Sequence, residues 1–190
     1  MVLALSVACF AAAAPARADV SSWLAVGGGV ALQRNRVAAS NDAAGTVTYS
    51  LGVGSSPTAS FVLGGLFRGT TMVGLGTDVG LAARGATGGF ARGDWGLALE
   101  LGAAFRTWGD GSYGDWPLQA VLTAGSPLGF QLAIGTEFWN LESGHNTEGA
   151  FVALELDILR LTVMRQGSSL RWWPNPSPAG GAAPPGPAQP

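Results

Sequence analysis

From about Trp23 to Ile158 the chain alternates apolar residues with small or polar ones at every second position, and only clusters of turn formers interrupt the pattern. Successive strand residues point to opposite faces, so a period of two predicts strands with one apolar face each. Eight segments carry it. The first lies near 22–33, with Leu24, Val26, Val30 and Leu32 against Ala25, Gly27, Gly29 and Ala31. The second, near 46–54, sets Val47, Tyr49, Leu51 and Val53 against Thr48, Ser50 and Gly52. The third, near 59–68, sets Phe61, Leu63 and Phe67 against Ser60, Gly64 and Arg68. The fourth, near 71–84, sets Val73, Leu75, Val79 and Leu81 against Gly74, Gly76, Asp78 and Gly80. The fifth, near 94–107, sets Trp95, Leu97, Leu99, Leu101 and Phe105 against Gly96, Ala98, Glu100, Gly102 and Arg106. The sixth, near 116–125, sets Leu118, Ala120 and Leu122 against Gln119, Val121 and Thr123. The seventh, near 129–140, sets Phe130, Leu132, Ile134 and Phe138 against Gln131, Gly135 and Glu137. The eighth starts near Gly149, with Val152, Leu154, Leu156 and Ile158 against Ala153, Glu155 and Asp157. Its phase flips at Ile158-Leu159, where either a bulge or the end of the strand is expected.

Alternation alone does not say which face points inward. A soluble barrel would hide the apolar face and wet the other, which should then be rich in Lys, Glu and Thr. Here the second face is mostly Gly and Ala with isolated carboxylates and Arg. Such a face suits a narrow lumen, and the Leu, Val and Phe face then meets lipid. Composition agrees. Charged residues are 12% of the chain, hydrophobic ones 47%, and Gly numbers 30. A soluble domain usually carries about 25% charged residues. The fold class expected is all-β: an eight-stranded antiparallel up-and-down transmembrane β-barrel.

Turn lengths fit this arrangement. With both termini on the periplasmic side, even-numbered connections are periplasmic and should be short. The second, Ser55-Ser56-Pro57, and the sixth, Ser126-Pro127-Leu128, are compact. The first (34–45), fifth (108–115) and seventh (141–148) are longer and polar. The third, around Gly69-Thr70, is short for an outer loop, and the fourth, 85–93, is long for a periplasmic turn. Trp23, Trp95, Trp108, Trp116 and Trp139 fall near strand ends, where aromatic girdles sit at the membrane interfaces.

Three segments follow. Residues 1–18 read as a signal peptide, with an apolar run from Val2 to Ala14 and an Ala16-Arg17-Ala18 cleavage site, although Arg17 is the first charge and no basic n-region precedes the run. Residues 19–173 form the barrel. Residues 174–190 hold seven prolines among Gly and Ala and read as a disordered tail. The single cysteine, Cys9, lies in the signal segment, so the mature barrel has no disulfide.

Over 19–173 this pattern of short alternating strands, compact and long turns, and terminal aromatics resembles the small eight-stranded outer-membrane β-barrel proteins of bacteria. The resemblance is one of pattern and transfers no functional residue. It implies export to the bacterial outer membrane. Many members of that family end in an aromatic residue that the assembly machinery recognises. This chain departs from them, because Trp172-Trp173 precede the Pro-rich tail.

The inward charges, Asp78, Glu100, Arg106, Glu137, Glu155, Asp157 and Arg160, together with Arg68 and Arg84, are expected to pair as a network filling the lumen. Glu100 and Asp78 should lie at similar depth, with Arg160 or Arg84 as partners. The alternatives are a proton or ion path. His145, the sole histidine, stands near Glu142, Ser143 and Glu148, and a lipid hydrolase could use such residues. No nucleophile-elbow motif surrounds Ser143, and a loop histidine in solvent is the plainer reading. One His without a mature Cys gives zinc little to bind. Asp110, Ser112 and Asp115 lack EF-hand spacing. Gly74 to Gly80 precedes no helix-forming segment, so it reads as lumen glycines rather than a dinucleotide loop. A net charge of -2 offers no attraction to nucleic acid. The expected function is a non-enzymatic structural or surface-interaction protein of the outer membrane. It takes no cofactor, and its partners are membrane lipid and a ligand or protein met through the outer loops. A lipid-modifying enzyme or a narrow solute or ion pore is the alternative.

Overall fold

The computed structural model describes residues 20–35, 40–109, 118–138 and 147–159. They form eight strands: β1 (Ser21–Asn35), β2 (Ser40–Gly54), β3 (Phe61–Met72), β4 (Gly76–Thr87), β5 (Gly96–Gly109), β6 (Leu118–Gly125), β7 (Phe130–Phe138) and β8 (Thr147–Asp157). One short helix, α1 (Gly88–Arg92), lies between β4 and β5. Each strand pairs antiparallel with the next, and β8 closes on β1 from Ala25↔Asp157 to Asn35↔Thr147. Among the described residues no helix is long and apolar enough to cross a membrane, which says nothing about strands.

The ladders stagger. Followed through directly paired residues, one row runs Val62, Ala86, Ala98, Thr123, Ala133, Ala153, Gly29, Thr46 and returns to β3 at Met72, ten positions beyond its start. At about 3.3 Å per residue and about 4.8 Å between strands, that stagger tilts the strands by about 40°. Such a barrel is just wide enough for its own side chains to fill.

The faces separate as the alternation requires. Val30, Leu51, Leu63, Leu81, Leu99, Leu122, Leu132 and Leu154, one from each strand, are all exposed on the outer wall. Inside, two apolar clusters lie toward opposite ends. Trp23, Val62, Ala86, Phe90 and Ala98 pack at the end that also carries α1 and the turns at 55–60 and 126–129. Ala31, Met72, Val121, Ala133, Phe151 and Ala153 form the other, backed by Ala44 and Leu75. Leu75, expected on the outer face, thus turns inward, because it sits in the β3–β4 turn rather than on a strand.

Boundaries differ from the sequence expectation for definable reasons. The third connection is Val73-Gly74-Leu75, not Gly69-Thr70. Gly69 stays in the ladder opposite Tyr49, whose ring covers the place a Cβ would take. The turn instead uses Gly74 at φ 83°, a conformation open mainly to glycine. The long fourth connection is α1, whose N-cap Thr87 accepts the Phe90 N–H and whose C-cap Gly93 is left-handed at φ 84°. β2 begins at Ser40, six residues earlier than the alternation indicates, because its first residues are largely exposed and carry no apolar alternation. At Ile158-Leu159 the strand ends. Asp157 is the last ladder residue, and the next two are helical.

Candidate functional site

The lumen holds the charged side chains, and register decides who meets whom. Arg84 and Glu100 are directly paired on β4 and β5, as are Asp78 and Arg106. Residues so opposed on one face have Cβ atoms about 4.5–5.5 Å apart, close enough for their charges to join. Arg106 forms a bidentate pair with Asp78, Nε to Oδ1 and Nη2 to Oδ2, both 2.8 Å, and donates through Nη1 to Gln33 Oε1 at 2.8 Å. Arg84 donates through Nε and Nη2 to Glu100 Oε1.

Arg68 on β3 has only Ser50 and Gly80 as ladder neighbours. Its guanidinium therefore crosses the lumen. Nε and Nη2 hold the two oxygens of Glu100 at 2.7 and 3.0 Å, while Nη1 reaches Glu155 Oε1 on β8 at 2.7 Å. Thr48 Oγ1 donates to the same Glu155 oxygen at 2.8 Å. Gly27, between Thr48 and Glu155 in the ladder, leaves the space Glu155 needs: a Cβ there would stand 2.6 Å from Glu155 Cγ. Arg68, Arg84, Glu100 and Glu155 are all essentially inaccessible. An isolated buried charge is severely penalised, so this arrangement persists only because each charge is matched and hydrogen-bonded.

Below that cluster, Arg84 is flanked by rings. Its Cζ lies 4.9 Å from the Trp23 ring centroid and 5.6 Å from that of Phe90. Flat guanidinium groups stack well on aromatic faces. Trp23 is 2% exposed. Its assignment to an interfacial girdle is therefore corrected: it stands on the same face as Ala25 and points into the barrel. Trp95, 73% exposed just before β5, and Trp108, 54% exposed near its end, do face outward.

Of the residues singled out from sequence, Asp78, Glu100, Arg106, Glu155 and Asp157 all point into the lumen. Asp78 and Glu100 do not lie at similar depth, because the ladder sets Asp78 against Arg106, six residues along β5 from Glu100. Among the described residues Glu100 is held by Arg84, one of the two partners expected, and by Arg68. Arg160, Trp116 and Trp139, the side chain of Glu137, and the loop groups His145, Ser143, Glu142, Asp110, Ser112 and Asp115 lie outside the described residues. Glu148 is described, second in β8, as the ladder partner of Arg34. Sequence reasoning missed Thr48 and Gln33 as network members. Both stand on the inward phase, which was the available signal. Phe90 had none, since a five-residue helix shows no periodicity.

No family model matches the chain, and neither does any curated protein or any solved structure.

Proposed function

We propose that this protein is a bacterial outer-membrane β-barrel with a structural and surface-interaction role rather than an enzymatic one. The observation that carries the reading is the exposed apolar wall. Every strand contributes, with no interruption around the barrel, and soluble monomers rarely expose contiguous apolar area beyond a few hundred Å². Trp95 and Trp108 support it. Thirteen residues apart, they are separated by about 33 Å along the axis of a barrel tilted about 40°, close to the roughly 30 Å of a bilayer core.

The interior supports a structural rather than a conducting or catalytic role. Ion pairs and two apolar clusters occupy the lumen that a solute or lipid chain would need. A surface role draws on the β1–β2 hairpin. Ser40–Gly45 of β2 pairs fully with β1, yet the β2–β3 ladder begins only at Thr46↔Met72. Beyond the β3–β4 turn, this polar edge offers backbone groups to a partner, with Gly45 O already taken by Val73 N–H at 2.8 Å.

Membrane fractionation tests the reading. The protein should co-sediment with outer-membrane vesicles after carbonate wash, and in planar bilayers it should conduct little. Leu132→Arg, mid-strand on the outer wall, should cost about 2–4 kcal/mol in lipid. Recovery as a free periplasmic protein, with that substitution harmless, would refute it.

A further inference from the structure

Glu155 is only half used by the network. Its Oε1 accepts from Arg68 and Thr48. Its Oε2 is buried and has no hydrogen-bond partner among the described residues. Directly opposite in the β7–β8 ladder stands Gln131, 2% exposed, whose Oε1 is likewise buried and without a donor. Residues paired this way on one face hold their Cβ atoms about 4.5–5.5 Å apart, so the two oxygens share one small region of the wall. On the next strand, Thr123 Oγ1 is also buried and without a partner among the described residues. It lies diagonal to Gln131, whose own ladder partner is Gly125.

Two acceptors cannot satisfy each other. A carboxylate oxygen and an amide oxygen need a donor between them, and a hydroxyl nearby can donate to whatever brings it. The charge balance decides what kind. Arg68 and Arg84 already match Glu100 and Glu155, so a cation at Glu155 would add a charge that this cluster does not compensate. We propose that Glu155, Gln131 and Thr123 form a built site for a neutral double hydrogen-bond donor, an internal water molecule that bridges Glu155 Oε2 to Gln131 Oε1 and accepts from the Thr123 hydroxyl. Three polar partners is the usual complement of a buried water. Thr123 is the direct ladder partner of Ala98, a member of the Trp23–Phe90 cluster. The site thus lies between the ionic cluster and the apolar plug, and makes that stretch of lumen hydrated rather than dry.

The test is a crystal structure of the full chain, refolded in detergent and crystallised with rubidium chloride as the only salt, at a resolution that shows ordered water. The expected result is a peak within hydrogen-bonding distance of Glu155 Oε2, Gln131 Oε1 and Thr123 Oγ1, with no anomalous rubidium signal. The same crystals of Gln131→Met should lose the peak. An anomalous peak there would make the site a cation site and overturn the proposal. So would a Gln131 side chain turned to donate its amide nitrogen directly to Glu155, or a peak that persists unmoved in Gln131→Met.

Discussion

The two charged groups inside this barrel solve the same problem differently. Arg106 and Asp78 are ladder neighbours and close a compact bidentate pair, helped by Gln33 from β1. Arg68 has no acidic ladder neighbour, and instead ties β3 to β5 and β8 across the lumen. The first pair is local, and losing it disturbs one corner. The second joins strands far apart in the sheet: Glu155 takes its guanidinium from Arg68, and Glu100 shares Arg68 with Arg84. Buried charge is stabilising only as a set: removing one member leaves the rest desolvated and unmatched.

Substitutions at the two arginines separate these cases. Arg68→Ala should be the most damaging, about 3–5 kcal/mol, because it leaves Glu155 with no arginine and Glu100 with Arg84 alone. Its urea midpoint for unfolding from detergent should fall accordingly, and its bilayer conductance should rise above that of the unaltered protein. Combining Arg68→Leu with Glu155→Gln should cost less than Arg68→Ala alone, since Arg84 still matches Glu100 and no charge in the cluster is left unmatched. If the double variant were the weaker protein, the network would be contributing more than neutralisation.

Arg106→Ala should cost about 1–3 kcal/mol, because it takes the bidentate guanidinium from a single carboxylate. It should not raise conductance, since the Arg68 cluster still closes the lumen. An effect equal to that of Arg68→Ala would erase the distinction between local and cross-barrel pairing. Thr48→Val is the finest probe. It removes one neutral donor to a carboxylate that keeps its arginine, and about 1 kcal/mol is expected in the same unfolding assay.

The strands and their faces were legible because a period of two is written into every one of them. Trp23 shows where that reading was misapplied. Its position near a strand end suggested an interface, but its phase, shared with Ala25 and Gly27, already placed it inside. The pairing of charges was legible only in part. Alternation tells that Arg68 and Glu155 face inward, but not that they meet, because their contact depends on the stagger of the whole closed sheet. The β3–β4 turn was misplaced because Gly69-Thr70 has the composition of a turn, and only the Tyr49 ring over Gly69 explains a glycine kept within the ladder.

The closure of β8 onto β1 poses a question of register that apolar surface cannot answer. A slip of one residue would turn every outer-wall group inward and is forbidden outright. A slip of two keeps every face correct and shifts the strand by only about 6–7 Å. Nothing on the outer wall would object. Inside, however, Gly27 would then oppose Ala153 or Asp157 in place of Glu155, and Arg68 would lose its partner on that side. The cross-barrel arginine therefore works as a combination lock on the seam. Among the closures that hydrophobicity permits, it accepts the one that delivers Glu155 to its hand.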